Sequence, residues 1–117
     1  HDAVVWLPGF APGWWKTALA TLLRFAPAPA LIACDPDPAG IEIALDAGAV
    51  WQATGIGWQP WKMSPADLKA LPRRKPLTER DRQRLDALAA MPLPAPLDDL
   101  AEWMRKHGEK GEQEGLL

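Results

Sequence analysis

The stretch that most constrains this chain is Asp35-Pro-Asp-Pro-Ala-Gly40, which joins an apolar run, Ala30 to Cys34, to a helix-like run, Ile41 to Ala47. The apolar run has the length and unbroken character of a buried parallel strand. Each aspartate precedes a proline, whose ring pushes the residue before it out of the α region, so both aspartates are held extended by local sterics. In an extended chain the side chains at i and i+2 share a side, roughly 6.5 Å apart along the backbone. That spacing suits two carboxylates converging on one hard cation. Ligands of parallel sheets collect beyond the carboxyl ends of the strands, where Asp35 falls.

The flanks extend this unit into an α/β pattern. Ala3 to Leu7 reads as a short strand ended by Pro8 and Gly9. Trp15, Ala18, Leu19, Leu22 and Ala26 follow helical spacing and predict one buried stripe, stopped by Pro27 and Pro29. Ala3 to Cys34 is therefore a β-α-β unit with parallel strands and a right-handed crossover. After the aspartates, Pro38 is placed as the first helical residue and Asp37 as its N-cap. Ile41, Ala44 and Leu45 form the inward face, with Gly48 as the stop and Ala49 to Ala53 as a third strand. Thr54 to Met63 reads as a loop with aromatic anchors.

The second half is helical and more polar. Ser64 caps a short helix through Leu71, and Thr78 with Asp81 makes a capping box for a helix to about Ala90, with Leu85, Leu88 and Ala89 on its apolar side. Leu97, Leu100, Ala101 and Met104 repeat the helical spacing, ending near Gly108. Glu109 to Leu117 has room for a last helical turn or two, weakened by Gly111 and Gly115. The expected organisation is a Rossmann-like core over residues 1–63 and a helical extension over 64–117 packed on it. The chain opens at His1 almost directly into a strand, which suggests a fragment of a longer protein.

Composition excludes several classes. The one cysteine, Cys34, rules out an internal disulfide framework or a cysteine zinc cluster and reads as a small buried hydrophobe. No apolar run approaches the roughly 18 residues of a membrane span, so no membrane partner is expected and the cytoplasm is the default location. A formal net charge of -2 carries no global nucleic-acid signal, so DNA binding has to rest on a local patch. The basic cluster is Arg73, Arg74, Lys75, Arg80, Arg82 and Arg84, opposed by Glu79 and Asp81; it reads as a solvated helix face or as DNA phosphate contacts. His1 and His107 lack metal-ligand spacing. Trp14, Trp58 and Trp61 are expected to be exposed where a partner segment is missing.

Three readings of the aspartate pair stay open on the residues alone. Asp35 and Asp37 can simply cap a helix and fill a turn. They can be the nucleophile and general acid of a haloacid-dehalogenase-like phosphatase. That reading is weakened because a β-α unit precedes the pair and the later acidic pair, Asp98-Asp99, lies at a helix start. They can also hold Mg²⁺ or Mn²⁺ for phosphodiester chemistry.

The run Leu31-Ile-Ala-Cys-Asp-Pro-Asp-Pro-Ala-Gly-Ile-Glu-Ile43 resembles the Asp-x-Asp-Pro-x-Gly-x-x-Ile motif of Toprim domains in the branch of the topoisomerase VI A subunit and the meiotic Spo-eleven proteins. Together with Trp6-Leu-Pro-Gly-Phe10, Trp14-Trp15 and Glu112-Gln113-Glu114, it is similar to the C-terminal Toprim-like domain of the nuclease subunit of Wadjet anti-plasmid systems and its bacterial relatives. The resemblance implies a Toprim-like fold and metal-dependent DNA cleavage within a larger DNA-processing or defence protein. Asp35 and Asp37 would be catalytic metal ligands. Gly40 would let the backbone approach the ion or phosphate. Glu112 and Glu114 gain interest as further ligands from the resemblance alone and otherwise read as a solvated acidic tail, whereas Glu42, one helical turn past the pair, reads by position either as a water-mediated partner of the ion or as a solvent-exposed residue. The expected partners are DNA, the remainder of the same protein and other subunits of a defence complex. A catalytic glutamate is also implied at the end of a preceding strand, but Pro8-Gly9 follow Ala3 to Leu7, so the expectation is that it lies upstream. The rival expectation is a non-catalytic Toprim-like module that binds nucleic acid or protein.

Overall fold

A computed structural model describes residues 3–111 and has an α/β architecture. Strands β1 (Ala3–Trp6), β2 (Ala30–Ala33) and β3 (Trp58–Pro60) form a parallel sheet in the order β1-β2-β3, with Val4 opposite Leu31 and Leu31 opposite Gln59. Helices α1 (Gly13–Phe25) and α2 (Pro38–Ala53) make the two crossovers and pack on each other, tied by Lys16 Nζ to Asp46 Oδ1 at 3.2 Å. The second half supplies α3 (Pro65–Lys69), α4 (Glu79–Ala89) and α5 (Leu97–His107). It also holds β4 (Arg74–Pro76) and β5 (Glu109–Gly111), an antiparallel pair.

The expected β-α-β unit, the Asp37 cap, the helix begun by Ser64 and the stop at Gly108 are all present. Gly108 takes the left-handed conformation, φ 67°, that ends α5. Four expectations need correction. First, Ala49 to Ala53 is not a third strand; α2 runs through Gly48 to Ala53. Its terminus is a Schellman motif: Gly55 sits at φ 76°, Ile56 N–H donates to Trp51 O and Gly55 N–H to Gln52 O. Gly48 is needed for packing instead, because a Cβ there would stand 2.1 Å from the Trp58 ring. Second, the third strand is Trp58–Pro60, within the segment expected to be a loop. Pro60 is tolerated because β3 is an edge strand. Third, β5 replaces the helical turns expected after Gly108.

The fourth correction concerns α1. Of the predicted stripe, Leu19 packs against the core, but Leu22 is 59% exposed and Ala18 and Ala26 face solvent; Leu23 is the residue that is buried. Nearly equal spacing served either face of a helix whose other side carries Trp14 and Phe25, 73% and 84% exposed.

One core spans both halves. α2 lies between the sheet and α4, which is why it is apolar almost all round: Ile41, Ile43, Ala44, Ala47 and Trp51 are buried on different sides. Leu85 and Leu88 of α4 and Leu97, Leu100 and Met104 of α5 continue the same cluster. Trp51 is buried with its indole N–H donating to Ala28 O at 3.0 Å, so its polar edge costs nothing. Among the described residues no helix is long and apolar enough to cross a membrane.

Both halves of the capping box at α4 form, with Asp81 N–H donating to Thr78 Oγ1 and Thr78 N–H to Asp81 Oδ2. Thr78→Ala is expected to cost about 1 kcal/mol, read as a lowered denaturant midpoint at constant slope.

Candidate functional site

The central strand β2 delivers Asp35 to the carboxyl end of the sheet, and Asp37 caps α2 two residues later. Both are half-buried, whereas Pro36 and Pro38 between and after them are buried. Asp37 N–H donates to Asp35 O at 2.8 Å, and Gly40 N–H donates to Asp37 Oδ1 at 2.5 Å. Gly111 N–H, at the end of β5, donates to Pro36 O at 3.0 Å. The turn is thus fastened from within, and also from a segment more than seventy residues downstream.

Gly40 is required by this fastening. A Cβ there would lie 1.8 Å from the carbonyl oxygen of Asp35, so the close approach seen in the structure is to the turn's own backbone. Gly111 has a similar role, since a Cβ would meet Pro36 Cγ at 2.7 Å and Leu71 Cδ1 at 2.6 Å.

Burial raises the Asp37 carboxyl to about 6, against the bond from Gly40 N–H; the Asp35 charge raises it further and Lys110 opposes. Cys34, buried just after β2 and directly before the pair, is pushed up to about 12 by burial and by the charges of Asp35 and Asp37, so it is a neutral thiol and part of the core. A third carboxylate, Asp81 at the start of α4, also acts on Asp37. Burial opposes its ionisation, but Lys110, with Nζ 2.7 Å from Asp81 Oδ2, and the Thr78 N–H outweigh that and hold it below the usual carboxylate range.

The other candidates are dispersed. Glu42, one turn into α2, accepts from Arg84 of α4, an ion pair that joins the two helices. Arg80 and Arg84 line an open cleft with Phe10, Glu42, Glu79 and Gln83, of about 720 Å³. Arg82, two residues from each, approaches Gly108 instead. Arg73, Arg74 and Lys75 sit at β4, where Arg74 lies 4.0 Å from Glu109 and Lys75 is opposite Lys110. The basic run is therefore split between a cleft and a ribbon rather than gathered on one helix face. Trp14 and Trp61 are exposed as expected, while Trp58 is half-buried against Gly48. His107 is exposed and stacks on Trp103 with ring centroids 4.3 Å apart. Glu112, Glu114 and His1 lie outside the described residues.

Sequence reasoning missed Lys110 entirely and gave Asp81 only a capping role. Lys110 lies in a run of Gly, Glu and Lys with no periodicity, and only the packing of β5 against β4 and Pro36 brings it near the turn.

Among the described residues no three His, Cys, Asp or Glu side chains form a metal-binding group. Asp35 and Asp37 nevertheless fit a magnesium-type ion in their chemistry. Such an ion keeps several waters and is bound through one or two carboxylates plus substrate phosphates. The short turn engages one Asp37 oxygen with its own backbone and holds two negative charges close enough to perturb each other, which is the electrostatic cost a cation relieves.

An α/β domain with an acidic turn beyond its central strand is the class of protein these features define. The chain belongs to the family described as "Protein of unknown function C-terminus (DUF2399)", whose model matches residues 11–117. No curated protein matches the sequence.

Proposed function

We propose that this chain is the Toprim-like, divalent-metal-binding part of a larger DNA-processing or anti-plasmid defence protein that cleaves DNA. The observation that carries this reading is the Asp35–Asp37 pair at the carboxyl end of the central parallel strand, on a proline-stiffened turn. The Asp-x-Asp-Pro-x-Gly motif that resembles Toprim domains coincides with it. Asp35 and Asp37 would hold Mg²⁺ or Mn²⁺, which supplies charge neutralisation at the phosphodiester and a more acidic bound water. The protein's own contribution is to hold the two carboxylates extended, partly desolvated and close to each other.

DNA is the partner this reading requires, alongside the rest of the same protein and other defence subunits. Arg80, in the cleft beside α2, supports a phosphate contact. Arg80→Ala is expected to weaken DNA binding about uniformly across sequences and to reduce the slope of log affinity against log salt by about 1. Titrating Mg²⁺ or Mn²⁺ into the full-length protein while following plasmid nicking, with Asp35→Asn and Asp37→Asn as comparisons, tests the proposal. Equal nicking by all three proteins would leave a non-catalytic binding module as the reading.

A further inference from the structure

We propose that Lys110 is a substrate-phosphate ligand of the aspartate turn, an inference that rests on the reading of that turn as a phosphodiester-cleaving centre. The placement is structural rather than sequential. β5 is laid against the turn by the Gly111 N–H to Pro36 O bond at 3.0 Å, and the absent side chain of Gly111 is what permits the approach. Lys110 directly precedes Gly111, and its charge acts on Asp37. Its ammonium meets Asp81 Oδ2 at 2.7 Å, and Asp81 is itself fixed by Thr78 N–H at 2.9 Å, so the cation is held by a rigid carboxylate.

An ammonium has three donors, and this bond uses one. The Lys110 side chain is 22% exposed, which leaves it accessible to a ligand. Two arginines of the second half are engaged elsewhere: Arg84 with Glu42, and Arg105 with Leu85 O and Asp86. Among the described residues, Lys110 is the cation whose charge reaches Asp37. β5 does not need this ion pair to stay in place, since it is paired with β4 and bonded to Pro36, and Leu77 N–H donates to Gly108 O next to it. A cation held beside carboxylates that would otherwise repel phosphate is suited to a phosphodiester.

The test is binding of a fluorescein-labelled DNA oligonucleotide to the full-length protein, with Ca²⁺ replacing Mg²⁺ to measure binding without cleavage. Lys110→Gln keeps a shorter stem and an N–H donor but removes the charge; Lys110→Arg keeps the charge. Lys110→Gln is expected to bind about tenfold more weakly with a salt slope reduced by about 1, and Lys110→Arg to stay within about threefold of wild type. Unchanged affinity and slope in Lys110→Gln, or loss of folding in both variants, would overturn the proposal and make Lys110 a structural partner of Asp81. The metal reading fails separately, if Asp35→Asn and Asp37→Asn nick plasmid as wild type does. Lys110→Gln binding normally while the aspartate variants lose nicking would sink the lysine alone.

Discussion

Asp35→Asn or Asp37→Asn in the full-length protein is expected to reduce metal-dependent plasmid nicking on the order of a hundredfold or more, because loss of an outer-shell partner alone costs about 10–100-fold in comparable metal sites. The expected companion result is a more stable metal-free protein. Burial, reinforced by the neighbouring charge of Asp35, raises the Asp37 carboxyl from 3.8 to about 6. A carboxyl whose folded value lies above its unfolded value favours the native state most below pH 3.8, and that contribution is lost as pH rises through about 6. Asparagine carries no charge and still accepts the Gly40 N–H as an N-cap. Metal-free Asp37→Asn should therefore melt above wild type at pH 8, and the gap should close by pH 4. Protonation of Asp37 also competes with the ion, so the metal concentration for half-maximal nicking should rise as pH falls below about 6. Calorimetry across pH and a metal titration read these effects independently. Identical melting of the two proteins at every pH would contradict the desolvated Asp37.

Gly40→Ala is expected to have the largest effect on stability of any single methyl addition in the turn. The added carbon would lie 1.8 Å from Asp35 O, a backbone atom in the residue that begins the site. Relief requires breaking the Asp37 N–H to Asp35 O bond or withdrawing the first turn of α2 from β2. A destabilisation of about 3 kcal/mol is expected from overpacking of this kind, which corresponds to a fall of roughly 12–20 °C in melting temperature. Gly57→Ala is the control, because no atom lies within 4 Å of its Cβ position and its φ is not positive. It should change stability by less than about 0.5 kcal/mol. A Gly40→Ala protein that melts like the Gly57→Ala control would show that the turn relaxes freely and does not hold its aspartates rigidly.

What could be read from the residues was local. Asp37 and Pro38 announce the start of α2, Ser64 and Thr78 announce α3 and α4, and Gly108 ends α5, because each effect acts within a few residues of backbone. Errors came where a local signal had two physical explanations. Gly48 was read as a stop because a helical glycine is costly, yet it is there to admit the Trp58 ring, and the true stop at Gly55 lay seven residues further on. The strands β3, β4 and β5 are too short to show alternation, and β4 and β5 carry mainly charge and glycine or proline.

The sequence by itself determined the acidic turn: two prolines impose extended geometry on two aspartates, an apolar run places them at a strand end, and a glycine follows where no side chain fits. Tertiary structure alone decided what surrounds it. Glu42 is engaged by Arg84, the arginine run is divided between a cleft and a ribbon, and Lys110 is carried to the turn by a strand distant in sequence. Dihedral preferences are properties of neighbouring residues, whereas the charge around a buried carboxylate depends on which distant segments pack against it.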